Sequence, residues 1–223
     1  MNRTKIKDRE LPDYTKGEEI VNSSSHIVGD VFAVIALVTC VIVAVQHKNV
    51  WAIVSAAIYG TTMILLYTMS SVYHALPPTK LSKKVFQVID HCTIFFFIAG
   101  TYTPITLCAV RLVNPTLAWT IFGVVWAFAI LGVVLNAIDL KSFKVFSMVC
   151  YLGMGWCIVI AIKPMLQVMS LNSIMYLIFG GIAYTIGAVL YAIAKKSRYL
   201  HSTFHMFVLV GSLLHYISVL YIL

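Results

Sequence analysis

Seven apolar runs, each about the 20 residues needed to cross a bilayer as a helix, constrain this chain more than any other feature. They lie near Ile27–Gln46, Val50–Tyr73, Phe86–Val110, Leu117–Leu135, Val145–Ile162, Ile174–Ala194 and Phe204–Leu223. Short connections join them, so sequential helices are expected to pack antiparallel, with no room for a second globular domain. Composition agrees: 61% of the residues are hydrophobic and 11% charged, whereas a soluble domain carries about 25% charged residues. The expected fold is an all-α membrane protein, a seven-transmembrane helix bundle. Residues 1–25 form a polar N-terminal arm with a short interfacial helix, and residues 26–223 form the membrane domain. The polar start and full-length first run predict a span, not a cleaved signal peptide.

Orientation follows from the basic residues. Arg3, Lys5, Lys7, Arg9, Lys16, Lys80, Lys83, Lys84, Lys141, Lys144, Lys195, Lys196 and Arg198 fall on one side, 13 of the 16, and only Lys48, Arg111 and Lys163 on the other. Positive charge stays inside, which predicts a cytoplasmic N-terminus and an extracellular C-terminus. The net charge of +8 is then a topology signal facing anionic lipid headgroups, and a nucleic-acid partner is not needed to explain it. The five cysteines are scattered without CxxC spacing, which argues against a thiolate metal site or a disulfide framework. Small residues such as Ala183 and Gly187 permit close helix approach. Pro104, closing Gly100-Thr-Tyr-Thr-Pro104, should bend the third span because proline removes a backbone donor.

The polar residues inside these spans gather at one level. His201 and His205 share a helical face at the start of span seven, His74 ends span two four residues after Ser70, and Asp90 begins span three. Polar groups in hydrocarbon are costly unless something is gained. His-x-x-x-His alone occurs by chance, and its histidines can equally hydrogen-bond headgroups; His74 and Asp90 at the same depth favour a metal. Three histidines with an open position describe a catalytic zinc site, where a bound water becomes acidic near neutral pH. Asp90 is placed to take that water's proton and Ser70 to orient a reacting group. Glu19, Asn22 and His26, at i, i+3 and i+7, read either as the polar face of an interfacial helix or as support for the metal ligands. Asp30 needs a partner inside the bundle. His91 points about 100° from Asp90 and is left aside, His215 reads as a buried hydrogen-bonding residue, and Asn136 and Asp139 read as solvated loop residues.

Together, Glu19-x-x-Asn22-x-x-x-His26, Ser70-x-x-x-His74, Asp90 and His201-x-x-x-His205 resemble the haemolysin III branch of the progestin and adipoQ receptor superfamily, which includes the adiponectin receptors, with alkaline ceramidases as more distant relatives. The resemblance covers almost the whole chain. It implies zinc held by His74, His201 and His205, with Asp90 and Ser70 beside the reacting water, in a multi-pass protein of the bacterial plasma membrane. Membrane-lipid and fluidity homeostasis is the role implied, with haemolysis attributed to some members. The long cytoplasmic region of the animal receptors is not matched, so the carry-over stops at the membrane site. Three functions are weighed: a zinc-dependent hydrolase of a lipid amide or ester, a sensor of membrane state with structural zinc, and a pore-forming haemolysin. The third needs a polar stripe along several spans, and these spans are apolar nearly all round.

Overall fold

A computed structural model describes residues 4–194 and 197–223. Arg3, Lys195 and Lys196, counted in the charge asymmetry, lie outside the described residues. Seven helices are long and apolar enough to cross a membrane: α1 (Lys16–Gln46), α2 (Val50–Ala75), α3 (Leu81–Val113), α4 (Pro115–Asp139), α5 (Lys144–Val168), α6 (Leu171–Ile193) and α7 (Leu200–Leu220). The described residues contain no strand. The chain is a multi-pass membrane protein.

Local chemistry sets the helix starts. Thr15 and Glu18 form a capping box ahead of α1, so two of the unpaired amides at that end are satisfied reciprocally. Asn49, Asn114 and Ser170 cap α2, α4 and α6 through their side chains. Tyr199, before α7, has no side-chain cap and a left-handed φ of 60°. Its backbone amide instead donates to Glu18 Oε1 at 2.9 Å, which ties the start of α7 to the start of α1.

Two expected spans are not simple helices. Pro104 sits inside α3, and Ile105–Val110 runs on as a π-helical segment; the widened turns accommodate the missing proline donor without ending the span. The fifth span extends beyond its expected end, to Val168, and tightens to a 3-10 segment at Cys157–Ala161. Residues 16–25 are the opening turns of α1, which runs unbroken for 31 residues.

Helix α3 is the axis of the bundle, with 83% of its apolar window buried against 28% for α1. One apolar cluster joins α3 to α4, α5 and α6, and a second joins α1, α2 and α7. Small residues make the second seam tight: Ala33, Ala36, Cys40 and Ala44 of α1 and Ala52 and Ala56 of α2 are fully buried. Gly187 lies against Phe204 and Phe207, where a Cβ would come within 3.3 Å of the first and 3.2 Å of the second. The outer face of α1 exposes Val31, Ile35, Val38, Ile42 and Val45, an apolar stripe suited to lipid.

Two residues expected in a solvated loop are instead helical and buried. Asn136 and Asp139 belong to the last turn of α4 and are 0% and 2% exposed. Asn136 accepts a hydrogen bond from Ser147 Oγ at 2.7 Å. Asp139 accepts from the amides of Thr4, Lys141 and Ser142 at 3.0, 3.1 and 3.3 Å. It thereby anchors the N-terminal arm, and Arg9 Nη2 donating to the Ile138 carbonyl at 3.3 Å adds a second tether. Asp30 has its partner across the α1–α2 seam, where Thr68 Oγ1 donates to its carboxylate at 2.9 Å.

Candidate metal centre

The end of the bundle at which α1 and α7 begin and α2 ends holds three buried imidazoles. His74, His201 and His205 can each offer one nitrogen such that all three lie within 4.8 Å of one another. His205 Nε2 is 3.1 Å from His201 Nε2, which is 3.4 Å from His74 Nε2. These three residues could hold a metal ion.

Hydrogen bonding on the far side of two of the rings fixes which of their nitrogens face inward. Glu19 Oε2 lies 2.6 Å from His74 Nδ1; a carboxylate only accepts, so Nδ1 carries a proton and, in the neutral ring, Nε2 presents its lone pair. Ser25 Oγ donates to the Asn22 carbonyl at 2.8 Å and sits 3.3 Å from His205 Nδ1. Its proton is thus committed, and Nδ1 of His205 donates to it. Two lone pairs therefore face His201 Nε2, which in the neutral ring can satisfy at most one. The other nitrogen of His201 is buried without a partner. This is the arrangement expected of a cation's ligand set: each imidazole turns Nε2 inward, and outer groups hold the tautomers of His74 and His205. A tetrahedral ion with bonds of about 2.0–2.1 Å sets two nitrogens about 3.3 Å apart, close to the separations of 3.1 and 3.4 Å. The donor set fits.

The motif on α1 lies beside these rings. Asn22 is fully buried and accepts from Ser202 Oγ at 2.6 Å, while its Nδ2 stands 3.5 Å from His74 Nδ1. His26 acts differently from a hydrogen-bonding support. It stacks on His205 with centroids 3.8 Å apart and meets Tyr67 edge-on, and neither of its nitrogens has a partner. Glu19 also receives Lys83 Nζ on Oε1 at 2.8 Å.

A cavity opens from the rings into the bundle core. His26, Ser70, Asp90, His201 and His205 line its polar end; Phe97, Ile98, Leu152, Phe204 and Val208 are among its apolar walls. Asp90 and Ser70 are therefore neighbours of the imidazoles across a shared space. His91, left aside on helical geometry, lines the cavity too, with Nδ1 3.7 Å from Asp90 Oδ2. Its Nδ1 faces the Gln87 carbonyl at 2.8 Å, which leaves Nε2 to accept from Tyr191 Oη at 3.0 Å. His215 makes the hydrogen bond expected of it, 3.1 Å from the Leu177 carbonyl, but is half-buried.

Comparison with known proteins settles the family. The profile of haemolysin-III-related proteins matches residues 14–216.

The chain belongs to the haemolysin-III-related family.

Hemolysin-3 of Bacillus cereus is 36% identical to it over 92% of this chain and 91% of its own. The hemolysin-3 homolog of Bacillus subtilis (strain 168) is 38% identical over 93% of this chain and 95% of its own. A human relative, monocyte to macrophage differentiation factor, is 27% identical over 79% of this chain and 74% of its own.

Within this haemolysin-III-related chain, several residues beside the imidazoles carry no motif signal. Tyr14 of the arm stacks on His201 with centroids 4.9 Å apart and planes 24° apart, and it lines the cavity with Pro12. Burial and the nearby acidic groups hold its phenol protonated well above the usual range. Ser25 and Ser202 adjoin motif residues in sequence, yet a serine beside a histidine has no spacing rule to reveal it. Lys83 is indistinguishable by sequence from its neighbours Lys80 and Lys84; only the fold shows that it turns inward.

Proposed function

We propose that this protein is a zinc-dependent hydrolase that cleaves an amide or ester bond of a lipid inside the bacterial plasma membrane. The convergence of three buried imidazoles, two of them tethered on their outer nitrogens by Glu19 and Ser25, on one point beside an apolar cavity carries this reading. His74, His201 and His205 would hold the ion, for which nitrogen ligands and borderline softness suit zinc. A zinc ion bound there supplies Lewis acidity toward a carbonyl oxygen and lowers the pKa of a water.

The chain's own residues supply the rest. Asp90, on the cavity wall, takes the proton released as water attacks the carbonyl and returns it to the leaving amine or alcohol. Ser70, buried one helical turn before His74, orients the scissile group. The apolar walls exclude bulk water and take up an acyl chain, since lining residues continue along α3 from Asp90 to Tyr102, about 18 Å of helix. The basic end faces the cytoplasm, where Lys and Arg meet anionic headgroups.

A second reading, a membrane-state regulator with structural zinc, is favoured by one feature: the ligand set joins the end of α2 to the start of α7. Haemolysis by pore formation, suggested by the name of the Bacillus cereus relative, finds little support in helices whose outer faces are apolar. The deciding experiment compares turnover of ceramide-like amides and lipid esters by zinc-loaded wild type and Asp90→Asn. Turnover lost with zinc retained supports the hydrolase; zinc retained without turnover in either protein supports the regulator.

A further inference from the structure

Lys83 is 1% exposed, in a segment where Lys80 is exposed and Lys84 half-buried, its Nζ on the Lys7 carbonyl at 2.6 Å. A lysine near a membrane surface ordinarily runs its ammonium out to water, and burying that charge is costly unless it is paired and hydrogen-bonded. Here the pairing is complete. Nζ lies 2.8 Å from Glu19 Oε1 and 2.9, 3.3 and 2.8 Å from the carbonyl oxygens of Tyr73, His74 and Leu76. It also sits 4.9 Å from the centroid of the Tyr73 ring. Four oxygens thus compete for three N–H groups, and the ammonium is held from every side.

We infer that Lys83 is a positioning residue of the metal centre, acting on His74 by two routes that meet there. This rests on the metal reading above. The first route is through the side chain. Lys83 occupies one carboxylate oxygen of Glu19, and the other lies 2.6 Å from His74 Nδ1. With Oε1 pinned, the carboxylate cannot rotate, and Oε2 stays in line with the ring nitrogen that sets the tautomer. The second route is through the backbone. His74 is the penultimate residue of α2, a place where carbonyls lack helical partners and ends fray. Lys83 takes up three of those carbonyls, including that of His74 itself, and places its charge at the negative end of the helix dipole. One side chain from α3 thereby holds the ring of a residue on α2 through a carboxylate on α1 and its backbone directly. Losing it would leave the imidazole in place but free to turn.

Outer partners of metal-ligating histidines change affinity by about 10–100-fold when removed, and this sets the expected effect. The zinc dissociation constant of the purified full-length protein in detergent is measured by chelator competition, with the thermal stability of the zinc-free protein alongside. Lys83→Met is expected to weaken zinc binding by at least tenfold, Lys83→Arg to recover part of the loss because it keeps the cation, and Lys80→Met to change nothing. Lys83→Met that folds and binds zinc within twofold of wild type, whatever its stability, would overturn the inference, since Lys83 would then only cap α2. Should Lys83→Met not fold, Lys83→Gln retains a donor for the carbonyls without the charge and is read by the same criterion. Wild type that binds no zinc overturns the metal reading itself and this inference with it. Zinc bound equally by wild type and variant overturns this inference alone.

Discussion

Replacing Glu19 by Gln isolates the charge of one carboxylate while keeping its shape. Glu19 lies 2.8 Å from Lys83 Nζ, and the two side chains are 19% and 2% exposed. At that separation the Coulomb attraction is roughly 6 kcal/mol at an effective dielectric of about 20. Desolvation of both groups offsets part of it, and the glutamine oxygen keeps one neutral hydrogen bond. The three carbonyls around Nζ also remain. Removing one partner of a fully buried pair costs about 3–5 kcal/mol, so Glu19→Gln, with its partner still solvated by carbonyls, should cost about 2–3 kcal/mol. The same substitution at Glu10 is the control: its ion pair with Lys141 spans 3.5 Å between side chains 85% and 77% exposed, and it should cost under about 0.5 kcal/mol. Reversible unfolding of zinc-free protein in mixed micelles reads both values. Equal effects at positions 19 and 10 would refute the argument that burial gives the Glu19 pair its strength.

Four further outcomes follow from packing and charge. Gly180→Ala forces a Cβ into the His215 ring and to within 3.2 Å of the Gly211 carbonyl, and should cost about 1–3 kcal/mol. Gly123→Ala meets nothing within 4 Å and should be neutral or slightly stabilising in the same thermal-melting series. Asp139→Ala removes the acceptor of the Thr4, Lys141 and Ser142 amides, and should speed hydrogen exchange in residues 4–15 while leaving α4 protected. Tyr14, whose burial raises its phenol pKa, contributes stability that is full below about pH 10 and lost as pH rises past it. Tyr14→Phe should therefore lessen the alkaline fall in melting temperature, and identical pH profiles would count against a buried phenol.

Hydropathy made the seven helices legible because length and apolarity are properties of a window, not of a contact. The histidine cluster was legible for a related reason: antiparallel helices bring the end of span two and the start of span seven to one depth, so residue type and topology suffice. Contacts that depend on side-chain direction were not. Lys83 and Lys84 have the same sequence signal, and only the turn after α2 decides which points inward. Asn136 and Asp139 look like loop residues because they stand beside basic ones, yet the arm folds back onto Asp139 and Ser147 of α5 bonds Asn136 in the buried interior. Tyr14 lies in a polar segment that no periodicity ties to the site, although its ring covers His201. His26 has the spacing of a support for the ligands, but spacing cannot distinguish the ring stacking it makes from a hydrogen bond.

The central claim is that His74, His201 and His205 hold one zinc ion. Elemental analysis of the detergent-purified protein, beside a variant with all three histidines replaced by alanine, tests it most directly. About one zinc per chain in the wild type and none in the variant is the predicted result. No metal in the wild type after zinc is supplied, or equal metal in both proteins, would contradict it.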